Sequence, residues 1–285
     1  MKILVFGRIG QLGSALAEVL SDRYETRFID QPELDLTAPE SVRDHVQTYL
    51  PSIVINAAAY TAVDRAETEP ELAHIINARA PGSLAYACDE AGAVLIHYST
   101  DYVFDGTASM PYTETAAVAP TGVYGQSKLA GEIAVASATQ RYVILRTAWL
   151  YSAVGHNFVK TMLKLANSGQ PIRVVADQIG SPTYAQDLAR VTRGIIEVLN
   201  SRREDCFGLY HATNTGTTSW YGLAREIFRL AAHQDVVVQP ISTEEYPTPA
   251  PRPAYTALDC SKLERVFGLT LPSWRDALAR CIDSL

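Results

Sequence analysis

The sequence predicts a doubly wound α/β fold on a parallel sheet, joined to a smaller mixed α/β unit. Three observations predict it. Short apolar runs alternate with helical patterns through the first half of the chain, those runs are almost continuously apolar, and the rhythm breaks near Trp149. Continuous runs mark strands covered on both faces, because a strand with one wet face alternates. Strand, helix and strand in that order give right-handed crossovers.

The first strand spans Ile3 to Phe6 and runs into Gly7-Arg8-Ile9-Gly10-Gln11-Leu12-Gly13. Leu12, Leu16, Val19 and Leu20 then recur at helical spacing and give the first helix one apolar stripe. A second strand, Arg27 to Ile29, ends on Asp30. Thr37-Ala38-Pro39-Glu40 has the form of a capping box with proline in the first turn, and predicts a helix from there toward Leu50. Strands follow at Ile53–Asn56, Val94–Tyr98 and Tyr142–Arg146, separated by helical stretches over Pro70–Ala91 and Gly125–Ala138.

Beyond Trp149, helical segments over Phe158–Ala166, Gln186–Asn200, Ser219–Ala232 and Trp274–Ile282 mix with short strands at Arg173–Val175 and Val236–Gln239. The run Pro247-Thr248-Pro249-Ala250-Pro251-Arg252-Pro253 cannot be regular structure, since each proline fixes φ and removes a donor. It is either a linker or an ordered loop over a site.

A length of 285 residues suits two units, and 47% hydrophobic against 19% charged residues is an ordinary globular balance. The net charge of −7 argues against nucleic acid or an anionic membrane surface as partner. Cys88, Cys206, Cys260 and Cys281 are scattered without C-x-x-C or zinc spacing, as expected for free thiols in a reducing compartment and for no bound metal. The apolar start ends after four residues, and no run approaches the ~18 apolar residues of a membrane span. The expectation is a soluble, cytoplasmic protein, monomer or homodimer.

Chemistry concentrates at the strand ends, where a doubly wound sheet binds its ligands. Gly7, Gly10 and Gly13 open the first helix directly after the first strand. Glycines there permit a tight turn, close approach to a pyrophosphate and close helix packing, and the helix supplies free N–H groups. A dinucleotide is the expected ligand, and the fold class sharpens to Rossmann-like. Asp30 is placed to accept from adenosine ribose hydroxyls and favours NADH, whereas Arg8 is placed to pair with a 2′-phosphate and favours NADPH. Both cofactors stay open.

Tyr124-Gly125-Gln126-Ser127-Lys128 sets a phenol and an ammonium on one face of a helix. Such an ammonium is expected to lower the phenol's pKa and make it a usable acid–base. Ser99-Thr100-Asp101 ends the fourth strand. A hydroxyl there either orients a substrate oxygen toward Tyr124 or merely caps a turn.

The glycine loop, Asn56-Ala57-Ala58-Ala59, Ser99-Thr100-Asp101 and Tyr124-x-x-x-Lys128 occur in the order that resembles the extended short-chain dehydrogenase/reductase family. The stretches 56–67, 97–106, 146–151 and 177–183 and the loop around Arg252-Pro253 resemble its dTDP-4-dehydrorhamnose reductase branch. The resemblance covers nearly the whole chain. It implies Thr100, Tyr124 and Lys128 as catalytic residues. It also implies Gly7, Arg8, Gly10, Gln11, Leu12, Gly13, Asp30, Asp35, Leu36, Ala57, Ala58, Ala59 and Tyr98, with Tyr124 and Lys128, around NADPH or NADH. Val63, Thr100, Asp101, Tyr124, Trp149 and Arg252 would meet a thymidine-diphospho-sugar, although Trp149 also reads as a core aromatic and Arg252 as a surface cation.

The implied activity is reduction of a sugar C4 ketone, ending dTDP-rhamnose biosynthesis. The alternatives are another nucleotide-sugar 4-ketoreductase, an epimerase, or a reductase-like regulatory subunit. A 4,6-dehydratase would need an Asp-Glu pair, and Asp101 is followed by Tyr102. Some family members pair through a divalent cation held by an acidic residue of the first helix, where this chain has Ser14 and Ala15. The expected division is a nucleotide-binding unit at 1–148, completed by segments near 176–205, and a discontinuous substrate-binding unit over most of 149–285.

Overall fold

The structure, a computed structural model, describes residues 1–201 and 206–285. One sheet of six parallel strands organises it: β1 (Lys2–Phe6), β2 (Glu25–Ile29), β3 (Ile53–Asn56), β4 (Val94–Thr100), β5 (Tyr142–Thr147) and β6 (Gly208–His211). Their spatial order is β2-β1-β3-β4-β5-β6. Every residue of β3 and β4 is buried, which accounts for their unbroken apolar sequences. The chain leaves β1 for β2 on one side and returns to β3 on the other, so the crevice opens at the carboxyl ends of β1 and β3.

The flanking helices are α1 (Gln11–Leu20), α2 (Pro39–Tyr49), α3 (Ala80–Ala91), α4 (Val123–Ala138), α5 (Phe158–Leu165), α6 (Ala185–Ser201), α7 (Trp220–Leu230), α8 (Ser261–Phe267) and α9 (Trp274–Asp283). Leu12, Leu16 and Leu20 of α1 and Leu188, Ile195 and Ile196 of α6 share a core with Ile3, Val5 and Ile55. Val42 and Val46 of α2, Leu84 and Cys88 of α3 and Val135 of α4 share another with Leu4, Phe6 and Val54. The sheet is therefore sandwiched, and the fold is doubly wound and Rossmann-like as the sequence predicts.

The later half adds a third core of Tyr151, Val159, Met162, Leu223, Ile227, Trp274 and Leu278. Short strand pairs edge it: Ile172–Val175 with Val238–Ile241, Leu150–Tyr151 with Thr183–Tyr184, and Ile179–Gly180 with Thr218–Ser219. Asp187 of α6 ties the two halves, since its buried carboxylate accepts from Arg280 at 2.8 and 2.7 Å and from Asn214 at 2.9 Å. The proline-rich run is an ordered loop, held where Ala250 N–H and Arg252 both donate to Asp64.

Three readings are corrected, and one strand is added. Thr37 does not cap α2; its hydroxyl and N–H both go to Asp35, Ala38 takes the N-cap position, and Pro39 supplies the first turn. The helix over 70–91 is not uniform, because a π-helical stretch at Ile75–Arg79 interrupts it. Its bulge turns buried Asn77 toward Tyr60 and Ser127, and such insertions often mark functional positions. The strand expected at 236–239 lies at Val238–Ile241. β6 is missed by sequence reasoning, being four residues, Gly-Leu-Tyr-His, with no β-branched member. Among the described residues, no helix is long and apolar enough to cross a membrane.

Candidate active site

The glycine loop is built by close approach. Gly7 has φ +93°, and a Cβ on it would stand 2.8 Å from Ala58 N and 2.9 Å from Ala57 C. A Cβ on Gly13 would fall 1.7 Å from the Gly7 carbonyl oxygen. One on Gly10 would meet nothing within 4 Å. The loop is thus packed inward at Gly7 and Gly13 and open outward at Gly10. Gly10 is also the N-cap of α1, with no side-chain cap and no acidic residue in the first turn, which leaves the helix's first N–H groups for an anion. These residues fit a dinucleotide pyrophosphate.

Asp30 acts as a clasp for this loop. Its carboxylate accepts from Ile9 N–H at 2.7 Å and Gln31 N–H at 2.8 Å. Arg8 stands exposed in the same loop. Asp35 is held below the usual carboxylate range by the Thr37 hydroxyl and N–H, and half-buried Leu36 packs on the core under β2. Gln11 joins α1 to the later half, accepting from Asn157 Nδ2 at 2.9 Å.

At the end of β3, Asn56 Oδ1 accepts from Ala58 N–H and shapes Ala57–Ala59 into a turn under Gly7. Tyr98 enters the site through its backbone. Its ring is buried with the hydroxyl on Thr192 at 2.7 Å, while its carbonyl accepts from Lys128 Nζ at 2.6 Å. Burial lowers the Lys128 ammonium to about 8, against an opposing pull from Glu132.

Tyr124 lies one helical turn before Lys128. Burial pushes its phenol up to about 12, and the Thr100 hydroxyl pulls the other way. The expectation that Lys128 lowers it is corrected here: the ammonium is committed to the Tyr98 carbonyl, and desolvation dominates. Tyr124 is consequently a firm proton holder at neutral pH. Thr100, at the end of β4, accepts from Tyr102 N–H at 3.2 Å and donates to Asp101 Oδ1 at 3.0 Å. It therefore caps a turn and also faces Tyr124. Glu67 anchors the Tyr124 helix from a distance in sequence by accepting from Val123 N–H at 2.8 Å.

A second wall meets this one. Tyr102 packs edge-on against Tyr124 with centroids 5.6 Å apart. The Arg252 guanidinium lies 5.9 Å over Tyr102 and pairs through Nη2 with both oxygens of Asp64 at 2.9 Å. Its buried Nη1 has no partner. Val63 precedes Asp64 in the same short helix.

The family model described as RmlD substrate binding domain matches residues 1–285. A protein of Sinorhizobium fredii named dTDP-4-dehydrorhamnose reductase is 42% identical over 289 residues, covering 100% of this chain and 98% of that one. The chain belongs to the dTDP-4-dehydrorhamnose reductase family. The family member from Bacillus anthracis, solved in complex with NADP, superposes with a TM-score of 0.93 at 41% identity, covering 100% and 99% of the two chains. A Streptomyces antibioticus relative named probable dTDP-4,6-dihydroxy-2-methyloxan-3-one 4-ketoreductase is also 42% identical, over 100% of this chain and 96% of its own.

Within this reductase-family frame, the structure gathers Gly7, Gly10, Gly13, Ala57, Ala58, Thr100, Tyr124 and Lys128 around the crevice. Trp149 stands past the end of β5 and packs against the third core. It holds φ +47° and stacks on Trp220 at 3.6 Å, with Gly180 leaving room for its ring. Sequence reasoning missed Asn77, Glu67, Asp64, Tyr102 and Trp220. Each acts through a partner distant in sequence or through an aromatic contact, and none has a local spacing signature. The π-helical stretch follows no pattern either, although the small residue Gly131 that lets α4 ride on the Asn77 carbonyl is visible.

Proposed function

We propose that this chain reduces the C4 ketone of dTDP-4-dehydro-L-rhamnose to dTDP-L-rhamnose, with NADPH or NADH as reductant. The observation that carries the reading is the convergence of a protonated Tyr124, the Thr100 hydroxyl and a buried Lys128 at the carboxyl end of the sheet. A bound nicotinamide supplies a hydride to the ketone carbon. Tyr124 then gives its hydroxyl proton to the ketone oxygen as general acid. Thr100 holds that oxygen, and Lys128, held at the Tyr98 carbonyl, binds the cofactor ribose.

Gly7, Arg8, Gly10, Gln11, Leu12 and Gly13 hold the pyrophosphate side in this reading. Asp30, Asp35, Leu36, Ala57, Ala58, Ala59 and Tyr98 border the rest of the cofactor. Val63, Asp101, Trp149 and Arg252 border the sugar nucleotide, with the free Nη1 of Arg252 directed to its diphosphate. The nucleotide unit comprises 1–148 with α6 and β6. Residues 202–205, inside the segment 176–205 expected to complete it, lie outside the described residues. Most of 149–285 forms the substrate unit. Four free thiols fit a reducing cytoplasm.

The test is oxidation of NADPH and of NADH, separately, with the keto-sugar, beside Tyr124→Phe. Reduction lost in the variant with cofactor binding intact supports the reading. A wild type that binds cofactor but leaves this ketone untouched overturns the substrate, and other 4-keto-sugars, such as that of the Streptomyces relative, are then tried.

A further inference from the structure

Thr100 has a single hydroxyl proton, and the structure spends it. The hydroxyl donates to Asp101 Oδ1 while its oxygen accepts from Tyr102 N–H. In that arrangement it offers a ketone oxygen lone pairs alone. The Asp101 side chain is the other half of the problem. It is 1% exposed, makes no ion pair among the described residues, and leaves Oδ2 without a hydrogen-bond partner. An ionised carboxylate kept so is costly, whereas a neutral carboxylic acid is both cheaper to bury and a donor.

We propose that Asp101 works as a neutral acid that donates to Thr100 Oγ1, turning the Thr100 proton outward onto the ketone oxygen that Tyr124 protonates. The inference rests on the reductase reading and deepens it. Asp101 is a positioning residue, since it touches Thr100 and not the reacting atoms.

The surroundings agree. Tyr124 on α4 and the adjoining Tyr102 are the titratable groups that feel the charge of Asp101. The Arg252–Asp64 pair stands behind Tyr102, and Lys128 is held at the Tyr98 carbonyl. The Thr256 hydroxyl faces the carboxyl without closing a hydrogen bond. Burial already raises Asp101 to about 6, with the Thr256 and Thr100 hydroxyls opposing. A filled cleft excludes more water and pushes the same way. Because the acid form is the working one, activity falls as pH rises through this titration.

The experiment measures kcat for keto-sugar reduction between about pH 5.5 and about pH 9 in wild type, D101N, D101A, T100V and T100V/D101A. Wild-type kcat should fall about tenfold per pH unit above the Asp101 titration, and D101N should lack that limb, because its amide donates at every pH. D101A should lose about 10- to 100-fold, and less than about threefold when Thr100 is already valine. Without turnover, the infrared difference between cofactor-loaded wild type and D101N should carry the carbonyl band of a protonated carboxyl that fades in alkali. D101N is isosteric, so it reads out even where D101A fails to fold. The limb near pH 6 retained in D101N, losses that multiply in the double variant, or no carboxylic acid band would each overturn the proposal. A wild type inactive on the ketone overturns the reductase reading instead, and the infrared band still decides where the Asp101 proton sits.

Discussion

Replacing Gly13 by alanine tests the glycine loop at its tightest point. The new Cβ would stand 1.7 Å from the Gly7 carbonyl oxygen, so loop and helix must part by about 1.5 Å to reach ordinary contact. Such overpacking costs ~1–3 kcal/mol, or several degrees of melting temperature. The same shift carries the first N–H groups of α1 away from a bound pyrophosphate. Two charge-assisted hydrogen bonds lost at ~1.5 kcal/mol each raise the cofactor Kd by roughly 100-fold. Gly10→Ala is the contrast: its Cβ meets nothing within 4 Å and its φ is −66°. The apo melting temperature should hold within about 1 °C, while cofactor affinity falls because the open face is where the phosphates approach. Calorimetric titration and thermal melting read both variants. Gly13→Ala binding with wild-type affinity, or Gly10→Ala destabilising the apo protein as much, would refute the reasoning.

Further outcomes follow from the same geometry. Tyr124→Phe should lower kcat by ~10²–10⁴-fold with cofactor Kd little changed, measured by stopped-flow absorbance and fluorescence titration. Lys128, lowered to about 8 by burial, loses its positive charge as pH rises through that value, so a second alkaline limb near pH 8 should appear in kcat and survive in D101N. Glu132→Gln strands the Arg146 guanidinium, now bound at 2.8 and 2.7 Å in a buried bidentate pair. Its cost should be ~3–5 kcal/mol, seen as a drop of roughly 10 °C on melting. Arg252→Lys should raise KM for the sugar nucleotide several-fold with a smaller change in kcat, since lysine has no second nitrogen to stand where Nη1 is left free beside the Asp64 pair.

Much of the site is legible in the chain because its parts are local. The glycine loop, the Tyr-Lys pair one helical turn apart, and the hydroxyl at a strand end each sit where one strand meets one helix, and periodicity finds those junctions. What stays hidden depends on contacts across the fold. Asp30 reads as a ribose ligand but is first a clasp for Ile9. Tyr98 reads as a cofactor neighbour, and only the fold shows that its carbonyl holds Lys128. The phenol of Tyr124 reads as lowered by its lysine neighbour, yet burial, which no spacing reveals, outweighs that neighbour. β6 lacks a signal because its four residues owe their strand conformation to pairing with β5 and not to their own preference.

The central claim is reduction of a nucleotide-sugar C4 ketone by Tyr124 chemistry. The most direct measurement incubates the protein with NADPH or NADH and enzymatically generated dTDP-4-dehydro-L-rhamnose, follows cofactor absorbance, and identifies the product by chromatography against dTDP-L-rhamnose. The account predicts cofactor oxidation matched one to one by dTDP-L-rhamnose, abolished in Tyr124→Phe. Folded protein that binds cofactor and leaves the ketone unreduced would contradict it.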